Sequence, residues 1–129
     1  MAGLGWLVQV VQYPLFASVG AESFPEYHRR HSSRITPVVF PAMAIELVSS
    51  GVLLFSRPAG TSLALVALGF ALALSTWLAT ALLAVPRHAE LGAGFDAEAH
   101  KRLVRSSWVR TLAWSGHGVV VAVLLAQAA

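Results

Sequence analysis

Three histidines, one carboxylate and one arginine hold most of the chemistry open to this chain. Glu46 lies in the run 36–55, which contains no other charged residue. A carboxylate at bilayer depth costs roughly 2.5–3.5 kcal/mol even on the lenient insertion scale, so it is paired, protonated or bound to something, and it faces protein or a polar cavity. His28 and His31 are three residues apart on a segment that reads as a short helix. Both rings then point one way, as metal-binding pairs on helices do. His88 follows the third apolar run and offers a third nitrogen; three protein ligands and an open position are what a catalytic metal centre needs. Iron or copper at His28, His31 and His88 is the metal reading. Arg29 and Arg30 on the same helix repel a cation, and interfacial solvation is the competing reading. Haem between facing helices needs two histidines at matched depth, and only His117 is deep, so haem is a minor alternative.

These residues need elements to position them. Of the 129 residues, 57 % are hydrophobic and 12 % charged, with mean hydropathy +0.68. A transmembrane helix takes about 20 mostly apolar residues, and such runs cover roughly 3–21, 36–55, 62–85 and 103–126. The expectation is an all-α fold: one integral membrane domain, a four-helix transmembrane bundle. The first run lacks a basic leader region and reads as a retained helix. Ser23-Phe-Pro-Glu26 matches a capping box, and Pro37 favours a break at Thr36. Together they predict a short amphipathic cytoplasmic helix between spans 1 and 2. Asp96 is the expected N-cap of the last helix.

The absence of cysteine excludes disulfides and thiolate metal sites. The net charge of +3 does not point to nucleic acid, because the basic residues sit at span ends. Arg29, Arg30 and Arg34 lie in the first connection; Arg87, Lys101, Arg102 and Arg105 lie in or beside the third; the second has only Arg57. By the positive-inside rule the first and third connections are cytoplasmic and both termini face the other side.

Helix rise gives depth. At about 1.5 Å per residue from the basic end, Arg110 is about 10 Å deep, Glu46 about 15 Å and His117 about 20 Å. Tyr13, Trp77 and Trp114 fall in the same middle layer. Arg110, Trp114 and His117 recur at i, i+4 and i+7 and share a helix face. Glu46 and Arg110 either form an ion pair that fixes register or act on a ligand or proton. Tyr13, Trp77 and Trp114 either line a pocket for a flat apolar molecule or simply pack. Trp6 and Trp108 read as belt residues at opposite boundaries.

Tyr13-Pro-Leu-Phe16, Phe24-Pro-Glu-Tyr-His28, His31-Ser-Ser-Arg-Ile-Thr36, Glu46 after Met43, Val85-Pro-Arg-His88, Gly94-Phe-Asp96 and Leu103-Val-Arg-Ser-Ser-Trp-Val-Arg-Thr111 with Trp114 together cover nearly the whole chain. The pattern resembles a family of small four-helix bacterial membrane proteins, mostly uncharacterised and distantly similar to the fungal anthrone oxygenases. Those oxidise polycyclic aromatic anthrones to quinones. The resemblance implies a protein of the bacterial inner membrane and an oxidoreductase acting on a hydrophobic small molecule. It carries over Tyr27, His28, His31, Glu46, His88, Trp108, Arg110 and Trp114 as site candidates, with Tyr27 beside the substrate and Glu46 and Arg110 as the groups that bind or polarise it. The family commonly has Asn where this chain has Ser107.

Three functions stay open: a metal-dependent membrane oxidase or oxygenase; a non-catalytic accessory subunit of a larger membrane complex; and a small proton-coupled transporter working as a homo-oligomer. The lipid bilayer is a partner in all three.

Overall fold

The structure is a computed structural model describing residues 1–129. Four helices run alternately up and down: α1 (residues 2–18), α2 (Phe24–Phe55), α3 (Leu63–Gly92) and α4 (Ala97–Ala128). The last three are long and apolar enough to cross a membrane. Helix α1 is the short one, and its first turns reach Thr111 and Ser115 of α4, which continues to Ala128. Trp6 therefore touches Trp108, ring centroids 5.4 Å apart and edge to face, and its indole N–H donates to Ser115 Oγ. These two tryptophans do not mark opposite boundaries, because α1 starts beside the middle of α4.

Asp96 caps α4 as expected: its carboxylate accepts from the Ala99 N–H at 2.6 Å. The start of α2 differs from expectation. Ser23 makes no side-chain cap, and Glu26 turns outward to Arg29 and Arg30. Nor does Pro37 break the chain. The short amphipathic helix and the second span are one continuous 32-residue helix with Pro37 and Pro41 inside it. Within an apolar surround a helix break would orphan several backbone groups, whereas a proline removes a single donor, so continuation wins. Hydroxyls of Ser33 and Thr36 bond back to the carbonyls of Arg30 and Ser32 just ahead of Pro37.

Two local irregularities matter for the site. Val8–Gln12 in α1 and Thr80–Ala84 in α3 are π-turns, each directly followed by an X-Pro step at Pro14 and Pro86. A π-turn inserts one residue and rotates every side chain beyond it. The residues so rotated include Tyr13 and His88.

Neighbouring helices follow the order α1, α4, α3, α2 around the bundle. At the end holding His28, His31, His88 and His100 (the histidine end) a core of Tyr13, Phe16, Phe24, Leu91, Ala99 and Leu103 ties all four helices together. Away from it the helices stand less tightly. Only 25 of 129 residues are buried, while Ile45, Val48, Phe55 and Leu82 are 65–90 % exposed. Apolar exposure on that scale is the surface of a protein covered by lipid, and the segments at that depth are helical, so most of their backbone groups pair within the helix.

Candidate functional site

A cavity of about 380 Å³ lies between the helices, lined mostly by apolar side chains, with the hydroxyl residues Ser32, Thr36 and Thr80 among them and one polar wall. Tyr13, His88, Ser107, Arg110 and Trp114 make up that wall, and Trp77 and Met43 also line the cavity. Its size falls within the roughly 300–1,000 Å³ of small-molecule sites.

Arg110 is the centre of the polar wall. It is buried, and its Nη2 donates to Tyr13 Oη at 3.0 Å, with longer contacts of 3.4 Å to Thr80 Oγ1 and Ser107 Oγ. Its guanidinium carbon is 5.7 Å from the Trp114 ring centroid, a cation–π distance. Its Nε is buried with no partner. The ion pairs of the molecule do not include Arg110. Arg110 is thus a buried cation in the cavity wall whose hydrogen-bond partners are all neutral.

Glu46 does not pair with Arg110. Its Oε2 accepts from Trp114 Nε1 at 3.0 Å, and its Oε1 lies 3.2 Å from His117 Nδ1. His117 Nε2 in turn is 3.0 Å from Ser50 Oγ. The depth offset between Glu46 and Arg110, about 5 Å, is one helix turn. That turn decides the partner: Arg110 meets Tyr13 of α1, and Trp114 and His117, one and two turns on, meet Glu46. The order Ser50, His117, Glu46 is that of a serine triad, but Ser50 and His117 are buried and do not line the cavity, so no substrate reaches the hydroxyl from it. The cluster is a satisfied polar network that keeps a carboxylate in the bundle.

The histidines converge, which sequence alone left open. His28 Nε2 and His88 Nδ1 are 2.9 Å apart, and His88 Nε2 is 3.0 Å from Tyr13 Oη. His31 stacks on His88 at 6.0 Å between ring centroids, and its Nε2 is buried without a partner. No group of three or more His, Cys, Asp or Glu is arranged to hold a metal ion. The two nitrogens of His88 face His28 Nε2 and Tyr13 Oη at hydrogen-bonding distance, while His31 stacks on His88 without a hydrogen bond. His100 bonds the Tyr13 carbonyl at 2.8 Å and holds α1 against α4.

Of the expected pocket residues, Tyr13, Trp77 and Trp114 line the cavity. Tyr27 does not: its hydroxyl accepts from Gln12 Nε2 at 2.8 Å, and it borders a separate basic recess with Arg30, His31 and Arg34. Trp77 is anchored by an N–H bond to the Met43 carbonyl at 3.3 Å. Ser50 and Thr80 were not foreseen from sequence, since a lone hydroxyl residue in an apolar helix ordinarily bonds its own backbone. The two X-Pro steps were the available signal for the π-turns.

No family model, no curated protein and no solved structure matches this chain. The chain is an all-helical protein with membrane-spanning helices and a buried polar site.

Proposed function

We propose that the chain binds a flat hydrophobic molecule bearing a carbonyl, enolate or phenolate oxygen in the interhelical cavity, and that it oxidises that molecule as a membrane oxygenase. The observation that carries the reading is the counter-ion-free Arg110 in the cavity wall, beside Tyr13 and among apolar side chains. Aromatic walls and one charged head site favour a polycyclic ligand over a fatty chain. The resemblance to anthrone oxygenases supplies the reaction class. An anthrone carbonyl placed at Arg110 becomes an enolate when the ring methylene loses a proton, and the guanidinium stabilises the charge as it develops on oxygen. Oxygenation of that carbon by dioxygen converts the methylene to a second carbonyl; one oxygen atom stays in the quinone and the other leaves as water with the two methylene hydrogens. No step is assigned to a metal.

In this reading the histidine end is cytoplasmic and the protein lies in a bacterial inner membrane. The test is binding and turnover of 9-anthrone by the protein in detergent micelles, followed by quenching of tryptophan emission and by quinone absorbance. Saturable quenching with quinone formation above empty micelles is expected. Absence of saturable binding sinks the proposal.

A second reading, a proton-coupled carrier, gains from one observation. The pairing with Arg110 that would hold Glu46 permanently ionised is not made, and Glu46 instead meets His117. Proton uptake by proteoliposomes that depends on Glu46 and on an added aromatic acid would favour it over the oxygenase.

A further inference from the structure

The polar wall of the cavity continues into a directed chain of hydrogen bonds. Arginine only donates, so the Arg110 contact makes Tyr13 Oη an acceptor. The phenolic proton is then free to point at His88 Nε2, 3.0 Å away. A neutral His88 accepting at Nε2 carries its proton on Nδ1 and donates it to His28 Nε2 at 2.9 Å. Tyr13 and His88 line the cavity, whereas His28 does not and lies toward the start of α2. The chain has one end at the ligand and the other at the histidine end of the bundle.

On the far side of Arg110 the chain stops. The next residue along that face is Trp114, whose indole N–H donates to Glu46 and has no acceptor atom to receive a proton. The Glu46–His117–Ser50 cluster is therefore cut off from the cavity for proton transfer, and exchange with solvent runs in one direction only.

We propose that Tyr13, His88 and His28 form a proton relay that removes the proton of an enolisable or phenolic ligand bound at Arg110 and delivers it to the histidine end. The proposal rests on the cavity being the ligand site. In the step, the ligand's acidic C–H or O–H proton passes to Tyr13 Oη while the phenolic proton moves to His88 Nε2 and the His88 Nδ1 proton moves to His28 Nε2. The bond electrons stay on the ligand, which becomes an anion against Arg110. Tyr13 and His88 end neutral, and His28 ends as an imidazolium that discharges to water. No oxidant enters the step.

The test separates the relay from both binding and oxidation. The probe is 9-anthrone held under argon in deuterated buffer with the purified protein, and the readout is deuterium uptake at its methylene by mass spectrometry. Occupancy is measured in parallel by tryptophan quenching. Wild-type protein is expected to accelerate exchange well above empty micelles. His88→Gln keeps a hydrogen-bonding side chain but cannot take up one proton while releasing another, so at matched occupancy exchange should fall about a hundredfold, within the usual range for a lost general acid–base group. His28→Gln should lower it also, and Lys101→Gln, an exposed side chain outside both the chain and the cavity, should not. Wild-type rates in His88→Gln at matched occupancy, or saturable binding by wild-type protein with no acceleration, overturns the relay and leaves the binding site standing. No saturable binding overturns both. If His88→Gln does not fold, His28→Gln decides by the same comparison.

Discussion

Replacing Arg110 with methionine separates what this residue does for the fold from what it does for a ligand. The substitution deletes one good charged hydrogen bond, to Tyr13 at 3.0 Å, and two weak contacts at 3.4 Å. A hydrogen bond to a charged group contributes about 1.5–3 kcal/mol, and the Trp114 cation–π contact adds about 0.5–2 kcal/mol. Against these stands the several kcal/mol needed to hold a guanidinium out of water. Here that penalty is offset by no carboxylate, and Nε has no partner at all. The terms nearly cancel, so Arg110→Met should shift unfolding stability by no more than about 2 kcal/mol in either direction, in line with apolar replacement of other buried charges. Ligand binding should respond quite differently. A lost charge-assisted bond to the ligand oxygen, at about 1.5–3 kcal/mol, weakens Kd by roughly 10–150-fold at about 1.4 kcal/mol per factor of ten. Stability is read from denaturant unfolding in mixed micelles, and binding from tryptophan quenching by 9-anthrone. A variant that folds as well as wild type and binds equally tightly would refute the assignment of Arg110 as the head-group site. One destabilised by 4 kcal/mol or more, on the order of a broken buried pair, would mean that a counter-ion had been missed.

Glu46→Ala removes the acceptor of the Trp114 indole N–H and the carboxylate beside His117 and should cost about 1–3 kcal/mol, whereas Glu46→Gln, which still accepts from Trp114, should cost less; equal stability of Glu46→Ala and wild type in denaturant unfolding would refute the network. At Gly5 an added Cβ would meet Trp114 Cε3 at 2.9 Å, while at Gly3 it would meet nothing within 4 Å. Gly5→Ala should therefore lower stability by about 1–3 kcal/mol and disturb Trp114 fluorescence, with Gly3→Ala as the silent control in the same melt. Elemental analysis should find no stoichiometric iron or copper that depends on His28 and His88; metal near one per chain that falls in both His28→Ala and His88→Ala would overturn the hydrogen bonding of His88. Trp114→Ala should join the cavity to Glu46 through several waters, at about 30 Å³ each, and make proteoliposomes leak protons by a pH-sensitive dye. A leak no faster than that of wild type would refute the blocking role of the indole.

Much of this arrangement is written locally in the chain. Asp96 ahead of a helical run is a cap by its chemistry alone, and it caps α4. The spacing of Arg110, Trp114 and His117 guarantees a shared face, and all three face inward. Histidines 28 and 88 had only to lie at one height for contact to be plausible. What was not legible depends on tertiary register. Depth counting from helix rise does not resolve a single turn, and one turn decides whether Glu46 meets Arg110 or His117. Pro37 carries the same local preference as any X-Pro step, yet the apolar surround keeps α2 intact. The π-turns at Val8–Gln12 and Thr80–Ala84 are the converse case: there the helix absorbs the coming proline by adding a residue. Tyr27, placed beside the substrate by resemblance, instead closes a separate recess with Gln12, because its helix register turns it toward the outer side of α1.

The polar residues form a ladder whose length explains its interruption. From His28 to Ser50 along α2 is about 33 Å at ~1.5 Å per residue, close to the ~30 Å of a bilayer hydrocarbon core. A continuous file of groups able to accept and donate over that distance would be a proton leak. The ladder is continuous from His28 to Tyr13 and again from Glu46 to Ser50, with each neighbouring pair 2.9–3.2 Å apart. Between the halves stand Arg110 and Trp114, the two side chains in the file that donate but cannot accept. The cavity opens at that interruption and on its His88 side. On the proposed relay, a molecule bound there would exchange protons with one face of the membrane and be insulated from the other. The same guanidinium that would attract its oxygen also blocks the path onward, so in the proposed mechanism binding and insulation depend on a single charge at the join of the two halves.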